Sequence, residues 1–121
     1  MKLYYARHVC RNKAKSKRRS LIKNLHGDQV YEYMWGASEF SATGTLKNYN
    51  KISQLEKIDC PTLFICGEHD EARPRTAKRY AKAIPDADFV EIKSASHALL
   101  AEKPVQLIKT IRQFITRKEQ S

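Results

Sequence analysis

The chain has 121 residues, of which 41% are apolar and 30% are charged, and its formal net charge is +10. This balance is typical of one globular domain, or of part of one, and argues against an intrinsically disordered chain. We expect no transmembrane helix, because no apolar run approaches the ~20 residues that a span needs, and no secretory signal, because the basic N-terminus lacks an apolar core.

The cysteines indicate the compartment and argue against two kinds of site. Cys10, Cys60 and Cys66 are the three cysteines of the chain, and no two of them form a C-x-x-C pair. An odd number of cysteines without paired spacing argues against a disulfide framework and against a zinc site. We therefore predict a protein of the reducing cytoplasm that carries no metal and no cofactor.

The positive charge is concentrated at the start of the chain. Residues 1–27 contain nine lysines or arginines and no acidic residue, whereas residues 28–121 contain fourteen bases and thirteen acids. Such a basic head attracts nucleic acid without sequence preference. One of two alternative functions for the chain is therefore that of a non-catalytic module that binds nucleic acid or an acidic partner. The head has no recognisable nucleic-acid motif, and for residues 11–19 we predict a solvated loop or a frayed helix.

The rest of the first half predicts short helices and loops. Residues 20–35 hold apolar residues on both sides of a Gly27-Asp28 break, which favours two short helical pieces. Residues 36–50 are rich in small and turn-forming residues and predict a loop, and residues 51–57 predict a short helix.

The second half shows a clearer alternation of strands and helices. Residues 61–66 are apolar on both faces, which predicts a strand buried on both sides, and residues 89–92 predict a second strand. Helices are predicted to start at Pro74 and Pro104, because proline suits the first helical turn. The order β-α-β-α predicts a parallel α/β unit.

This unit is too small to bury its own apolar surface. The last helix carries an apolar face, made of Leu107, Ile108, Ile111, Phe114 and Ile115. Two strands buried on both faces need further strands beside them, and a full doubly wound sheet of eight strands takes about 240 residues. We therefore expect the chain to be the C-terminal part of a larger α/β fold with an incomplete sheet.

Two loops after the predicted strands carry an acid and a histidine. Asp70 is the last residue of the Gly-Glu-His-Asp sequence that follows the first strand. His97 is the last residue of the Ser-Ala-Ser-His sequence that follows the second strand. Parallel strands end at one sheet edge, so the two side chains should face each other. A carboxylate beside an imidazole is the acid–base half of a hydrolytic triad, and acid before histidine is the order of the α/β-hydrolases.

The motifs MWGASEF, TGTLK, GEHDEARP and ASH follow one another along the chain. With the stretches around them, from about residue 4 to 115, they resemble the C-terminal portion of the proline iminopeptidases (prolyl aminopeptidases), which are α/β-hydrolase serine peptidases. The resemblance implies that Asp70 is the triad acid and His97 the triad base of an enzyme that releases N-terminal proline from peptides. It also implies that residues 1–44 end a helical cap and that residues 45–121 belong to the hydrolase core.

The same resemblance assigns Glu39 and Glu71 to substrate binding. Two carboxylates near the site can pair with the α-ammonium of a free substrate N-terminus and so enforce exopeptidase action. Considered without the resemblance, Glu71 is a favourable charge near the start of the helix at Pro74. Glu39 is then an exposed loop charge.

The nucleophile elbow of the family, G-x-S-x-G, and its HGGPG-type oxyanion loop do not occur in this sequence. Gly36-Ala-Ser-Glu-Phe40 is similar to the elbow, but Phe40 replaces the second glycine that the tight turn needs, so we do not expect Ser38 to be a nucleophile. We expect the chain alone to be inactive and to need a matching N-terminal half. Its partner would then be a peptide with a free N-terminal proline, with neither a membrane nor nucleic acid involved.

Overall fold

The structure is a computed structural model that describes residues 2–12 and 27–121. At its centre lie two parallel strands, β1 (Thr62–Gly67) and β2 (Ala87–Ile92). Their register aligns the first residues of the strands with one another and also the last, so both strands end at the same sheet edge. The predicted parallel pair is confirmed.

The N-terminal part contributes short helices. Helix α1 (Lys2–Tyr4) continues into a π-helical turn over Tyr5–Val9, and helix α2 spans Asp28–Trp35. A 3-10 helix follows over Ile52–Lys57, where the sequence predicted a short helix. The predicted helical piece before Gly27 and most of the basic segment lie outside the described residues.

The predicted loop after α2 is confirmed. The helix ends at Gly36, whose φ of 83° lies in the left-handed region that favours glycine. The following chain folds back on the helix end, because the Trp35 carbonyl accepts hydrogen bonds from the backbone N–H groups of Thr43 and Gly44 at 2.9 and 3.2 Å.

Three helices complete the second half. Helix α3 (Pro74–Ala83) connects the two strands and packs against both of them. Helix α4 (Leu99–Glu102) is a single turn that the sequence did not predict, and helix α5 (Pro104–Glu119) packs against β2. Both α3 and α5 begin with proline, as predicted. None of the helices in the described part of the chain is long and apolar enough to cross a membrane.

The core is small and much apolar surface stays exposed. Ile92, Ala95 and Leu99 form the buried cluster, against which Ile65 and Leu107 pack. The first four residues of β1 are only half-buried, which differs from the burial on both sides that the sequence predicted. The cause is that the described sheet has two strands, so one edge of each strand has no neighbour there.

Candidate active site

The acid and the histidine of the predicted pair meet at the carboxyl edge of the sheet. His97 Nδ1 lies 3.0 Å from Asp70 Oδ1, within hydrogen-bond distance. A carboxylate only accepts, so the imidazole donates through Nδ1–H, and this tautomer leaves Nε2 as an acceptor. Asp70 is buried with 6% exposure, whereas the His97 side chain is 49% exposed.

Asp70 is held by the backbone of its own loop. Its Oδ1 accepts a hydrogen bond from the Ala72 N–H at 2.9 Å, and its Oδ2 accepts one from the Gly67 N–H at 3.3 Å. These two donors fix the plane of the carboxylate. The backbone of the loop therefore orients the acid toward His97.

The two loops lie in close contact after the strands end. His69 N–H donates to the Ala95 carbonyl at 2.9 Å. Glycine at position 67 permits this approach, because a Cβ there would lie 2.5 Å from the carbonyl oxygens of Ala95 and Ser96. A side chain at this position would push the acid loop away from the histidine loop.

A second bridge between the loops is the Glu68 carboxylate. It accepts a hydrogen bond from the Ser94 N–H at 2.9 Å, and Ser94 has a φ of 53°. This hydrogen bond lowers the pKa of Glu68 below its ordinary value, with a smaller contribution from the positive charge of Lys93. The carboxylate therefore stays ionised and supports an unusual backbone conformation in the histidine loop.

A segment from the start of the chain completes the site, and sequence reasoning missed it. The His8 carbonyl accepts hydrogen bonds from the N–H of Glu71 at 3.3 Å and from the N–H of His97 at 3.0 Å. The His8 imidazole contacts the His69 carbonyl through Nδ1 at 2.8 Å. Backbone contacts of this kind leave no residue pattern, so a single sequence offers no signal for them.

The two predicted amine-binding glutamates lie in different surroundings. Glu71 is half-buried, and its Oε1 lies 4.0 Å from His97 Nε2, so the structure brings it beside the acid–histidine pair. Glu39 is exposed and accepts a hydrogen bond from the Tyr31 hydroxyl, which raises the pKa of Tyr31. Within the described ranges no contact joins Glu39 to the pair.

Ser38 does not have the geometry of a nucleophile elbow. Its hydroxyl accepts a hydrogen bond from the Phe40 N–H at 3.2 Å, inside the turn that follows α2. An elbow needs a strand before the serine and a helix after it, whereas here a helix precedes the serine and turns follow it.

A cleft of about 240 Å³ borders the pair. Its lining is mainly apolar and includes Phe64, Cys66 and Tyr80 together with Asp70 and His97. Burial raises the pKa of the Cys66 thiol to about 11, and the charges of Asp70 and Glu91 add to the shift. The raised pKa disfavours the thiolate of Cys66 at neutral pH, so Cys66 is a poor candidate for a nucleophile although it shares the cleft with His97.

Known proteins are similar to the chain in sequence and in fold. The proline iminopeptidase of Heyndrickxia coagulans is 37% identical over 86 residues, which cover 71% of the chain and 30% of that protein. The crystal structure of proline iminopeptidase from Mycobacterium smegmatis matches with a TM-score of 0.81 at 34% identity, over 94% of the chain and 39% of that protein. An α/β hydrolase from a lagoon-sediment metagenome matches with a TM-score of 0.57 at 26% identity, over 76% of the chain and 44% of that protein.

These matches cover most of the chain but only part of each known protein. No protein-family model matches the chain. The chain spans about a third of the length of the curated relatives it matches, 30% of one and 36% of another. The chain is therefore related to the proline iminopeptidases, corresponds to their C-terminal portion and has part of the α/β-hydrolase fold.

Proposed function

We propose that this chain supplies the acid and the histidine of a catalytic triad to a proline iminopeptidase-like serine hydrolase that releases N-terminal proline from peptides. The observation that carries the proposal is the 3.0 Å contact between Asp70 and His97 at the carboxyl edge of two parallel strands. The names of the relatives support the substrate class.

Asp70 and His97 divide the acid–base chemistry between them. His97 Nε2 accepts the proton of the attacking serine hydroxyl and later gives it to the departing amine. Asp70 holds the imidazole by Nδ1–H and stabilises the imidazolium that forms. The difference in exposure supports these roles, because the acid is shielded from water while the base is open to an incoming partner.

The serine and the oxyanion donors come from an N-terminal half that this chain does not contain, and the chain alone is inactive. Exposed apolar side chains support completion by such a half: 78% of Val105, 46% of Ile108 and 48% of Ile115 is accessible on α5. Among the described residues, the edge of β1 that faces away from β2 is also unpaired. An added parallel strand would satisfy this edge, and other parts of the N-terminal half would cover the apolar face of α5.

Glu71 and Glu39 bind the α-ammonium of the substrate in this proposal. The position of Glu71, 4.0 Å from His97 Nε2, suits a group at the rim of the reacting centre. Glu39 keeps further acceptor capacity beside its hydrogen bond from Tyr31, because a carboxylate has several lone-pair sites. Glu39 then belongs to the helical cap, residues 1–44, and Glu71 to the core, residues 45–121.

The test is a complementation assay with a chromogenic prolyl substrate. We expect no turnover by the chain alone and turnover when it is combined with the N-terminal half of a proline iminopeptidase that carries the serine. His97→Ala in this chain should abolish that turnover, whereas Glu119→Gln, at the exposed end of α5, should not. Turnover by the chain alone that Ser38→Ala removes would contradict the proposal, as would an assembled but inactive pair of halves.

A further inference from the structure

A carboxylate that the reaction does not use lies behind the histidine loop. Glu102 ends α4, and its Oε2 accepts a hydrogen bond from the Ser96 N–H at 2.7 Å. Its Oε1 accepts one from the Ser96 hydroxyl at 2.9 Å and another from the Arg11 N–H. Ser96 is fully buried with 0% exposure. Glu102 therefore joins the residue before His97 to a segment from the start of the chain.

The backbone around His97 is held at three consecutive N–H groups. Ser96 N–H donates to Glu102. His97 N–H donates to the His8 carbonyl at 3.0 Å, and Ala98 N–H donates to the Val9 carbonyl at 2.8 Å. Of the three acceptors, Glu102 alone is a side chain, so it is the contact that a substitution can remove without changing the backbone.

The hydrogen-bond donors around Glu102 require a carboxylate and not an amide at this position. Both oxygens of Glu102 accept hydrogen bonds, and the donors are backbone N–H groups and a hydroxyl. A glutamine has one accepting oxygen and an NH₂ group that only donates. Glutamine would therefore place its NH₂ against the N–H of Ser96 or of Arg11.

We propose that Glu102 is a positioning residue for His97: it clamps Ser96 to residue 11 and so holds the histidine loop against residues 8–11. Glu102 touches neither substrate nor reacting atoms and acts through the loop backbone. The proposal rests on the proposed function in one respect, namely that His97 is the base whose position matters. It adds that Glu102 supplies a side-chain link between residues 8–11 and the histidine loop, beside the backbone hydrogen bonds to the His8 and Val9 carbonyls.

Amide hydrogen exchange on the whole chain tests the positioning role directly. Glu102→Gln should speed exchange at the amides of His97 and Ala98, whose own acceptors are untouched, by about ten-fold or more, since a hydrogen bond to a charged group is lost. The amides of Thr62 and Ile84, which donate to carbonyls in other parts of the fold, should keep their wild-type rates. Glu119→Gln is the matched control and should change none of these rates.

Ser96→Ala provides a second variant that does not depend on how the chain tolerates Glu102→Gln. It removes the hydroxyl donor but keeps the Ser96 N–H and the carboxylate, so it should speed exchange at His97 less than Glu102→Gln does. Unchanged rates at His97 and Ala98 in both variants would overturn the proposal. So would an equal rise at Thr62 and Ile84, because Glu102 would then support the whole fold and not the loop.

The same variants in the complemented enzyme separate this proposal from the proposed function. We expect Glu102→Gln to lower kcat with little change in KM, because substrate contacts remain while the base is poorly placed. An inactive wild-type complement with the expected exchange pattern would contradict the proposed function and leave the positioning of the loop supported. An active complement with unaltered kcat in Glu102→Gln would overturn the positioning role.

Discussion

His97 Nδ1 and Asp70 Oδ1 lie 3.0 Å apart although their residues are 27 positions apart in the sequence. The parallel register of β1 and β2 produces this contact, because it ends both strands at one edge and places the two loops side by side. The contact also fixes the imidazole tautomer, which a general base requires.

Asp70→Asn tests whether the acid sets this tautomer. The asparagine amide has a similar shape, but its NH₂ group can donate to Nδ1 and so favours the tautomer that carries the proton on Nε2. In the complemented enzyme we expect kcat to fall by about 10⁴-fold with little change in KM, as expected for loss of a triad acid. A kcat within ten-fold of wild type would show that Asp70 does not act as the acid.

Gly67→Ala tests the close approach of the two loops. The new Cβ would lie 2.5 Å from two backbone carbonyl oxygens, so one loop must move. We expect the free energy of unfolding to fall by about 1–3 kcal/mol, the usual cost of overpacking, when it is measured by urea denaturation of the chain. Gly27→Ala is the control, because its Cβ would meet its nearest neighbour at 3.8 Å, and equal effects of the two substitutions would contradict the steric account.

The pKa of Glu102 predicts a pH dependence of stability. Burial alone would raise this pKa above its ordinary value of 4.5, but hydrogen bonds from Ser96, Arg11 and Asn12 together outweigh burial and lower it. A lowered pKa in the folded state means that the stabilisation is complete above pH 4.5 and is lost as pH falls through the folded value.

Unfolding measurements on wild type and Glu102→Gln check this sign. The difference in the free energy of unfolding between the two proteins should be largest at neutral pH and shrink in acid, because a protonated glutamate resembles glutamine in charge. A difference that stays constant from neutral pH into acid would show that the charge of Glu102 does not stabilise the fold.

Glu71→Gln tests recognition of the substrate amine. In the complemented enzyme we expect kcat/KM for a free-amine prolyl substrate to fall by the equivalent of about 1.5–3 kcal/mol, the worth of a charge-assisted hydrogen bond. An N-blocked substrate should be far less affected, because it offers no cation. Equal loss for both substrates would indicate that Glu71 is a structural charge before α3 and not a specificity residue.

The strands and long helices of the second half could be predicted because their signals are local. An apolar run bounded by proline and glycine predicted a strand over residues 61–66, and the structure has it over Thr62–Gly67. Proline in the first turn located the starts of α3 and α5. The juxtaposition of Asp70 and His97 followed from these elements, since parallel strands leave little freedom in where their loops lie.

By itself, the sequence determined the parallel β-α-β-α unit, the acid–histidine order and the apolar face of α5. Each strand, helix and loop of this unit has a local signal, either a hydrophobic periodicity or a turn residue. Only the tertiary structure decided which groups hold the site. Glu102 and Arg11 are 91 positions apart, and the His8 carbonyl serves two loops. A backbone carbonyl that accepts a hydrogen bond leaves no signature in the sequence. Glu102, two positions before Pro104, has the pattern of an ordinary charge near a helix start. Three-dimensional packing alone therefore assigns these roles.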